Sequence, residues 1–342
     1  MAIATLARWL GPWADSTKAP AVDTRDDEVD GMRVKLYQPR RASGRAFLIA
    51  PGLHYAGADD PRLDRFCRIL AAAGHLVIAP FIPDYLALIP TGRAIADFGR
   101  IADALPRWTD RKPVIFSISF GSLLAFALAA ERPDVAERLV IFGGYADFRD
   151  TLRFCITGEV TGSARTAARD PMNQPVVLMN LLDQIDHDPA LRGALEAGWR
   201  AYVERVWGRP HMKLEGRYLA VGEELAPTIP DPVRELYRIG IGIVPGAWPL
   251  VDDALGRATV RTGPLDPTPY LARVRGRVDL VHGTDDDVIP FEHAHQLAAA
   301  LVNADVGVHI TGLYNHTGAA MSRLTALPRE LATMVRVLRV LS

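Results

Sequence analysis

Cysteine, lysine and long apolar runs are all scarce in this chain. Only Cys67 and Cys155 occur in 342 residues, too few for a disulfide framework and at a spacing that fits no metal motif. They read as free thiols of a reducing compartment, which points to the cytoplasm. Lysine stands only at Lys18, Lys35, Lys112 and Lys213, so arginine carries nearly all the positive charge. No apolar stretch reaches the ~18 residues that cross a bilayer, so stable membrane insertion is not expected. The N-terminal MAIATLARWLGPW is broken by Arg8, whereas a secretory signal places its charge first and keeps the apolar part whole. Residues 3–10 are expected to form a short surface helix, with at most minor membrane contact.

An excess of one charge is missing too. Lys and Arg total 39 against 40 Asp and Glu, a net charge of -1. A nucleic-acid binder held by phosphate contacts needs a basic surplus, and so does a polybasic membrane-surface protein. Internal repeats and low-complexity tracts are also absent. What is present is 49% hydrophobic and 23% charged residues, the composition of a soluble globular protein. At roughly 150 residues per domain the length suggests about two domains.

The first local signal is Asp30-Gly31 between 24–29 and 32–37, a hairpin turn whose two positions need positive φ. A different rhythm follows. Continuous apolar strands at 46–51 (AFLIAP), 75–80 (HLVIAP), 113–117 (PVIFS) and 139–143 (LVIFG) alternate with amphipathic helices over 61–73, 93–105 and 120–132. Fully apolar strands separated by helices predict a mostly parallel sheet with helices on both faces, edged by the antiparallel hairpin. The rhythm breaks over 145–270, where helix-like stretches at 176–184, 189–206, 232–239 and 251–257 are mixed with prolines, glycines and aromatics. It resumes with a strand at 278–282, a helix at 291–302, a strand at 306–311 and a final helix at 328–341. The expected division is core 1–144, a helical insertion 145–270, and core 271–342. So long an insertion is a cap or lid candidate.

The sharpest local feature is Ile115-Phe-Ser117-Ile-Ser119-Phe120-Gly121, where an apolar strand runs through a serine into a helix. This resembles the nucleophile elbow, G-x-S-x-G, of the α/β-hydrolase superfamily, with Gly121 matching and Ser117 replacing the first glycine. A frame with Ser117 as nucleophile would put Ser119 where a glycine belongs. The family's triad order is Ser, then Asp or Glu, then His, and both partners have candidates. His282-Gly-Thr-Asp-Asp286-Asp-Val-Ile-Pro290 resembles the acid loop, counted from Gly283 and Pro290 to Asp286. His316, in Gly312-Leu-Tyr-Asn-His-Thr-Gly318, lies past the last strand. Asp147, after 139–143, is the alternative acid.

The resemblance spans roughly residues 24–144 and 271–342 and implies an α/β-hydrolase fold with an inserted helical cap. It also implies a serine hydrolase cleaving a carboxylic ester with an apolar acyl or alkyl group. Ser119 would be nucleophile, His316 base and Asp286 the orienting acid. The backbone N–H groups of Phe120 and of Leu53, in Pro51-Gly52-Leu53-His54, would form the oxyanion hole. His54 and Tyr145 would lie beside the substrate. No metal or organic cofactor is implied, and the expected partner is a small-molecule ester. Lactone or thioester cleavage and acyl transfer use the same constellation, and a non-catalytic ligand-binding member is the alternative of another class. His282 is expected under the acid loop. His293 and His295 cannot share a helix face, which argues against a metal pair. The tryptophans of the insertion suit either core packing or an apolar pocket.

Overall fold

The computed structural model describes residues 2–9, 17–41, 44–257, 263–312, 314, 315, 318, 319 and 327–342. It divides into two units, one of Met1–Asp147 with Leu265–Ser342, the other Phe148–Pro264.

The first unit is built on a sheet of β1 (Asp23–Val29), β2 (Met32–Gln38), β3 (Ala46–Ala50), β4 (Leu76–Pro80), β5 (Val114–Ile118), β6 (Arg138–Phe142), β7 (Gly276–Gly283) and β8 (Ala304–Thr311). Their order is β1-β2-β4-β3-β5-β6-β7-β8. β1 and β2 pair antiparallel through Asp30 (φ 49°) and Gly31 (φ 78°), the two positive-φ positions that the Asp-Gly turn requires. From β4 onward every pairing is parallel. The inner strands are apolar on both sides because each face is covered. Leu48 and Ile115 pack with Phe98, Ile101 and Leu124 on one face, while Phe47 and Phe116 pack with Phe66, Ile69 and Leu338 on the other. Each such burial is worth roughly 1.5–3 kcal/mol. The edge strand β1 is mostly exposed and strongly charged, a composition that discourages pairing with another chain.

The N-terminal helix, Ala2–Leu6, keeps Ile3 and Ala4 exposed, as a surface helix would, but it is also anchored in the core. Leu6 is fully buried in the second face of the sheet, and the Trp9 ring stands 4.4 Å from that of Phe66. Arg65 then donates to the backbone carbonyls of Arg8 and Lys18. A 3.6-residue pattern five residues long cannot show which neighbour will cover it, so tertiary packing decided this element.

The second unit contains the helices Phe148–Thr157, Gln174–Leu181, Arg192–Val206, Arg217–Leu225, Asp231–Gly240 and Ala247–Arg257. Its core is anchored by Trp199, fully buried, whose Nε1 donates to the Tyr237 carbonyl at 3.1 Å. A Cβ on Gly240 would meet that indole nitrogen at 2.4 Å, so the helix end at Gly240 can approach the ring only without a side chain. Trp199 is thus a core residue. Among the described residues no helix is long and apolar enough to cross a membrane.

Candidate active site

β5 ends at Ile118 and the helix Gly121–Glu131 begins three residues later. Between them Ser119 takes φ 51°, one of four non-glycine positive-φ residues among those described. That conformation is costly for a residue with a Cβ and persists only where the surroundings over-determine it. Here they do. The Ser119 N–H donates to the Phe142 carbonyl of β6 at 2.8 Å, and the Ser119 carbonyl accepts from the Ser122 N–H at 3.0 Å. The Tyr85 hydroxyl donates to the Phe120 carbonyl at 3.1 Å. Gly121 makes the sharp turn possible, because a Cβ there would stand 2.1 Å from the Ala50 carbonyl oxygen.

A serine lifted on a left-handed turn between a central parallel strand and a helix, within this strand order, is decisive for the architecture. The chain has the α/β-hydrolase fold. In this α/β-hydrolase fold the loops after β5, β7 and β8 all leave the same edge of the sheet, since those strands run parallel. Groups carried by such loops converge there.

Asp286 lies in the loop after β7 and is buried. Its Oδ1 accepts from the N–H groups of Val288 at 2.9 Å and Ile289 at 2.8 Å. Two N–H groups on one oxygen fix the orientation of the carboxyl. Its Oδ2 lies 3.4 Å from Nε2 of the buried His282, which itself bonds to the Ile289 carbonyl at 2.8 Å. His282 therefore lies directly against the Asp286 carboxyl, where the sequence suggested only packing beneath the loop. Asp147 follows β6 and is half-buried. His316 lies outside the described residues. Its neighbours in the chain, Tyr314–Asn315 and Gly318–Ala319, pair antiparallel.

Gly52 brings the loop after β3 against the elbow, and a Cβ on it would lie 3.7 Å from the Ser119 Cβ. Leu53, the proposed second oxyanion donor, is half-buried beside this contact. His54 turns inward. Its Nδ1 accepts from the Ala56 N–H at 3.1 Å, and its Nε2 stands 3.2 Å from Asp60 Oδ2. Burial lowers the His54 pKa to about 4, with Asp60 opposing that shift and Arg62 adding to it. A neutral imidazole fixed between backbone and carboxylate suits support of the loop. Tyr145 is fully buried, with its hydroxyl donating to the Leu265 carbonyl at 2.7 Å and its ring 5.1 Å from that of Phe120. Burial raises its phenol pKa well above the usual value.

One connection has no signal in the sequence. The Ala146 N–H, in the loop after β6, donates to Nδ1 of His293 at 3.0 Å, tying that loop to the helix Glu292–Ala300. Burial, then the nearby His282, lowers the His293 pKa to about 4 against the pull of Asp286. His293 is buried and His295 exposed, as the opposed helix faces require. Among the described residues no group of three or more His, Cys, Asp or Glu could hold a metal ion.

No family model matches the chain, and no curated protein matches it. Among solved structures, it is similar to an acylaminoacyl peptidase from Pyrococcus horikoshii at 11% identity and a TM-score of 0.48. That match covers 95% of this chain and 41% of the peptidase, so the chain spans well under half of that relative. It is also similar to a serine hydrolase from Cycloclasticus zankles (13% identity, 94% and 98% covered, TM-score 0.47). A third is Est1E of Butyrivibrio proteoclasticus with ferulic acid bound (13% identity, 92% and 98% covered, TM-score 0.47). At these identities no site residue transfers from one chain to another.

Proposed function

We propose that the chain is a serine hydrolase that cleaves carboxylic esters with an apolar acyl or alkyl group through an acyl-enzyme. The observation that carries this reading is Ser119 itself, held at φ 51° at the sheet edge from which the Asp286 loop also leaves. A strained serine is a weak nucleophile without a base, and His316 is assigned that role. His316 takes the Ser119 proton as Oγ bonds to the ester carbonyl carbon, while Asp286 orients the imidazole and stabilises its cation. The N–H groups of Phe120 and Leu53 stabilise the oxyanion. The carbon–oxygen bond to the leaving alcohol then breaks, and His316 returns the proton to that alcohol. Water, deprotonated by the same imidazole, releases the acid and restores Ser119.

The unit Phe148–Pro264 is assigned as the cap. Lactone, thioester and acyl-transfer chemistry would run on the same groups, and the choice among them is made by substrate rather than by fold.

The test is the intact mass of the chain after exposure to a fluorophosphonate, comparing wild type with Ser119→Ala. One adduct, absent from the variant, is the expected result. A folded wild type that takes no adduct would replace this reading with that of a ligand-binding protein.

A further inference from the structure

We propose that Glu330 is a positioning residue for the loop that carries His316, acting through the root of that loop; this deepens the serine-hydrolase reading and rests on it. Glu330 sits in the first turn of the C-terminal helix Leu327–Leu341. A single oxygen of its carboxyl, Oε2, accepts from the Thr311 hydroxyl at 2.8 Å and from the Gly312 N–H at 2.8 Å. Thr311 is the last residue of β8 and is buried, and Gly312 is the first residue beyond it. The carboxylate therefore grips the chain where it leaves the sheet, four positions before His316.

The same point is held from the other side. The Thr284 N–H, just past β7, donates to the Thr311 carbonyl at 2.9 Å. A Cβ on Gly312 would lie 3.4 Å from both Glu330 Oε1 and Thr284 Oγ1, so the three residues close around one another. The root of the base loop is thus fixed jointly by the acid loop and by Glu330. The helix bearing Glu330 is itself anchored, since Met334, Val337, Leu338 and Leu341 are buried in the sheet's second face. Precise catalytic geometry requires support of this kind from rigid elements.

Both bonds fall on one oxygen, so a single acceptor oxygen is what the geometry requires. An amide carbonyl would serve equally, and Glu330→Gln is the conservative variant. A carboxylate in the first helical turn also suits the helix dipole, so a loss of stability alone would not identify the role.

The experiment uses the full chain as wild type, Glu330→Gln and Glu330→Ala. It measures the maximal rate and half-saturating concentration of Ser119 labelling by a fluorophosphonate, together with amide hydrogen exchange over residues 311–319. Glu330→Ala is expected to slow the maximal labelling rate by about 10²-fold, the scale of a misplaced catalytic group. Its half-saturation should stay unchanged while protection of the Gly312 amide is lost. Glu330→Gln should keep both rate and protection. An unaltered maximal rate in Glu330→Ala overturns the proposal, and so does a loss that Glu330→Gln shares. If Glu330→Ala does not fold, Thr311→Val removes one of the two bonds: a slowed maximal rate supports the proposal, an unchanged one overturns it. A wild type that takes no label would remove the serine reading and this role together. A labelled wild type with unresponsive variants removes only the role of Glu330.

Discussion

Gly121 and the carbonyl of Ala50 are in such close approach that a Cβ on the glycine would stand 2.1 Å from the Ala50 oxygen and 2.6 Å from that of Pro51. Both obstacles are backbone of β3 and the turn after it, which cannot swing aside as a side chain can. Gly121→Ala must therefore push the helix off the sheet, an overpacking of the kind that costs about 1–3 kcal/mol or more. Its urea midpoint should fall clearly below that of wild type. An unchanged midpoint would mean that strand and helix can separate without penalty.

Ser119 holds a left-handed conformation that costs a residue with a Cβ roughly 1–2 kcal/mol. Ser119→Gly should accordingly be more stable than Ser119→Ala by about 1 kcal/mol, although both lose the hydroxyl. Denaturant unfolding of the two variants side by side measures this difference. Equal stabilities would show that the turn relaxes once the hydroxyl is gone.

Asp286→Asn should lower turnover of an activated ester by about 10⁴-fold, the effect of an amide that holds a triad imidazole in the wrong tautomer. Asp147→Asn should leave turnover near normal. The reverse outcome in steady-state rates would transfer the orienting role to Asp147.

Asp279, fully buried in β7, accepts from His309 Nε2 at 3.0 Å and from Arg277 at 2.7 Å. Burial opposes its ionisation, but the bond from His309 and then that from Arg277 outweigh burial, and the carboxyl is held below its usual value of 3.8. A depressed folded-state pKa contributes stability above the unfolded value, and that contribution is lost as pH falls through 3.8 toward the folded value. Asp279→Asn should therefore cost about 3 kcal/mol near neutrality, the scale of a broken buried pair. The gap to wild type should shrink in acid. A gap that stays constant as pH falls from neutrality to below 3.8 would show that the carboxylate's charge contributes nothing.

Much of this architecture was legible without coordinates because its signals are local. The Asp30-Gly31 turn, the continuously apolar strands and the helix ends follow from steric and burial rules acting within a dozen residues. The helices Phe148–Thr157 and Arg217–Leu225 were not legible. The first enters from a glycine-rich turn that hides its start, and the second follows a kink at Glu215 and Gly216, both at positive φ.

The candidate site divides in the same way. Ser119, Gly121 and Asp286 stand out in sequence because an elbow and an acid loop each need particular residues at fixed short spacings. The partners that hold them do not. His293 reaches Ala146 across 147 residues, and Glu330 reaches Thr311 and Gly312 from another element altogether. Leu6 becomes core only because the sheet's second face lies open beside the N-terminal turn. A sequence determines on its own what neighbours along the chain must satisfy. Which distant group accepts a given N–H, or covers a given leucine, depends on where the packed sheet and helices bring the backbone, and only the tertiary structure decided that.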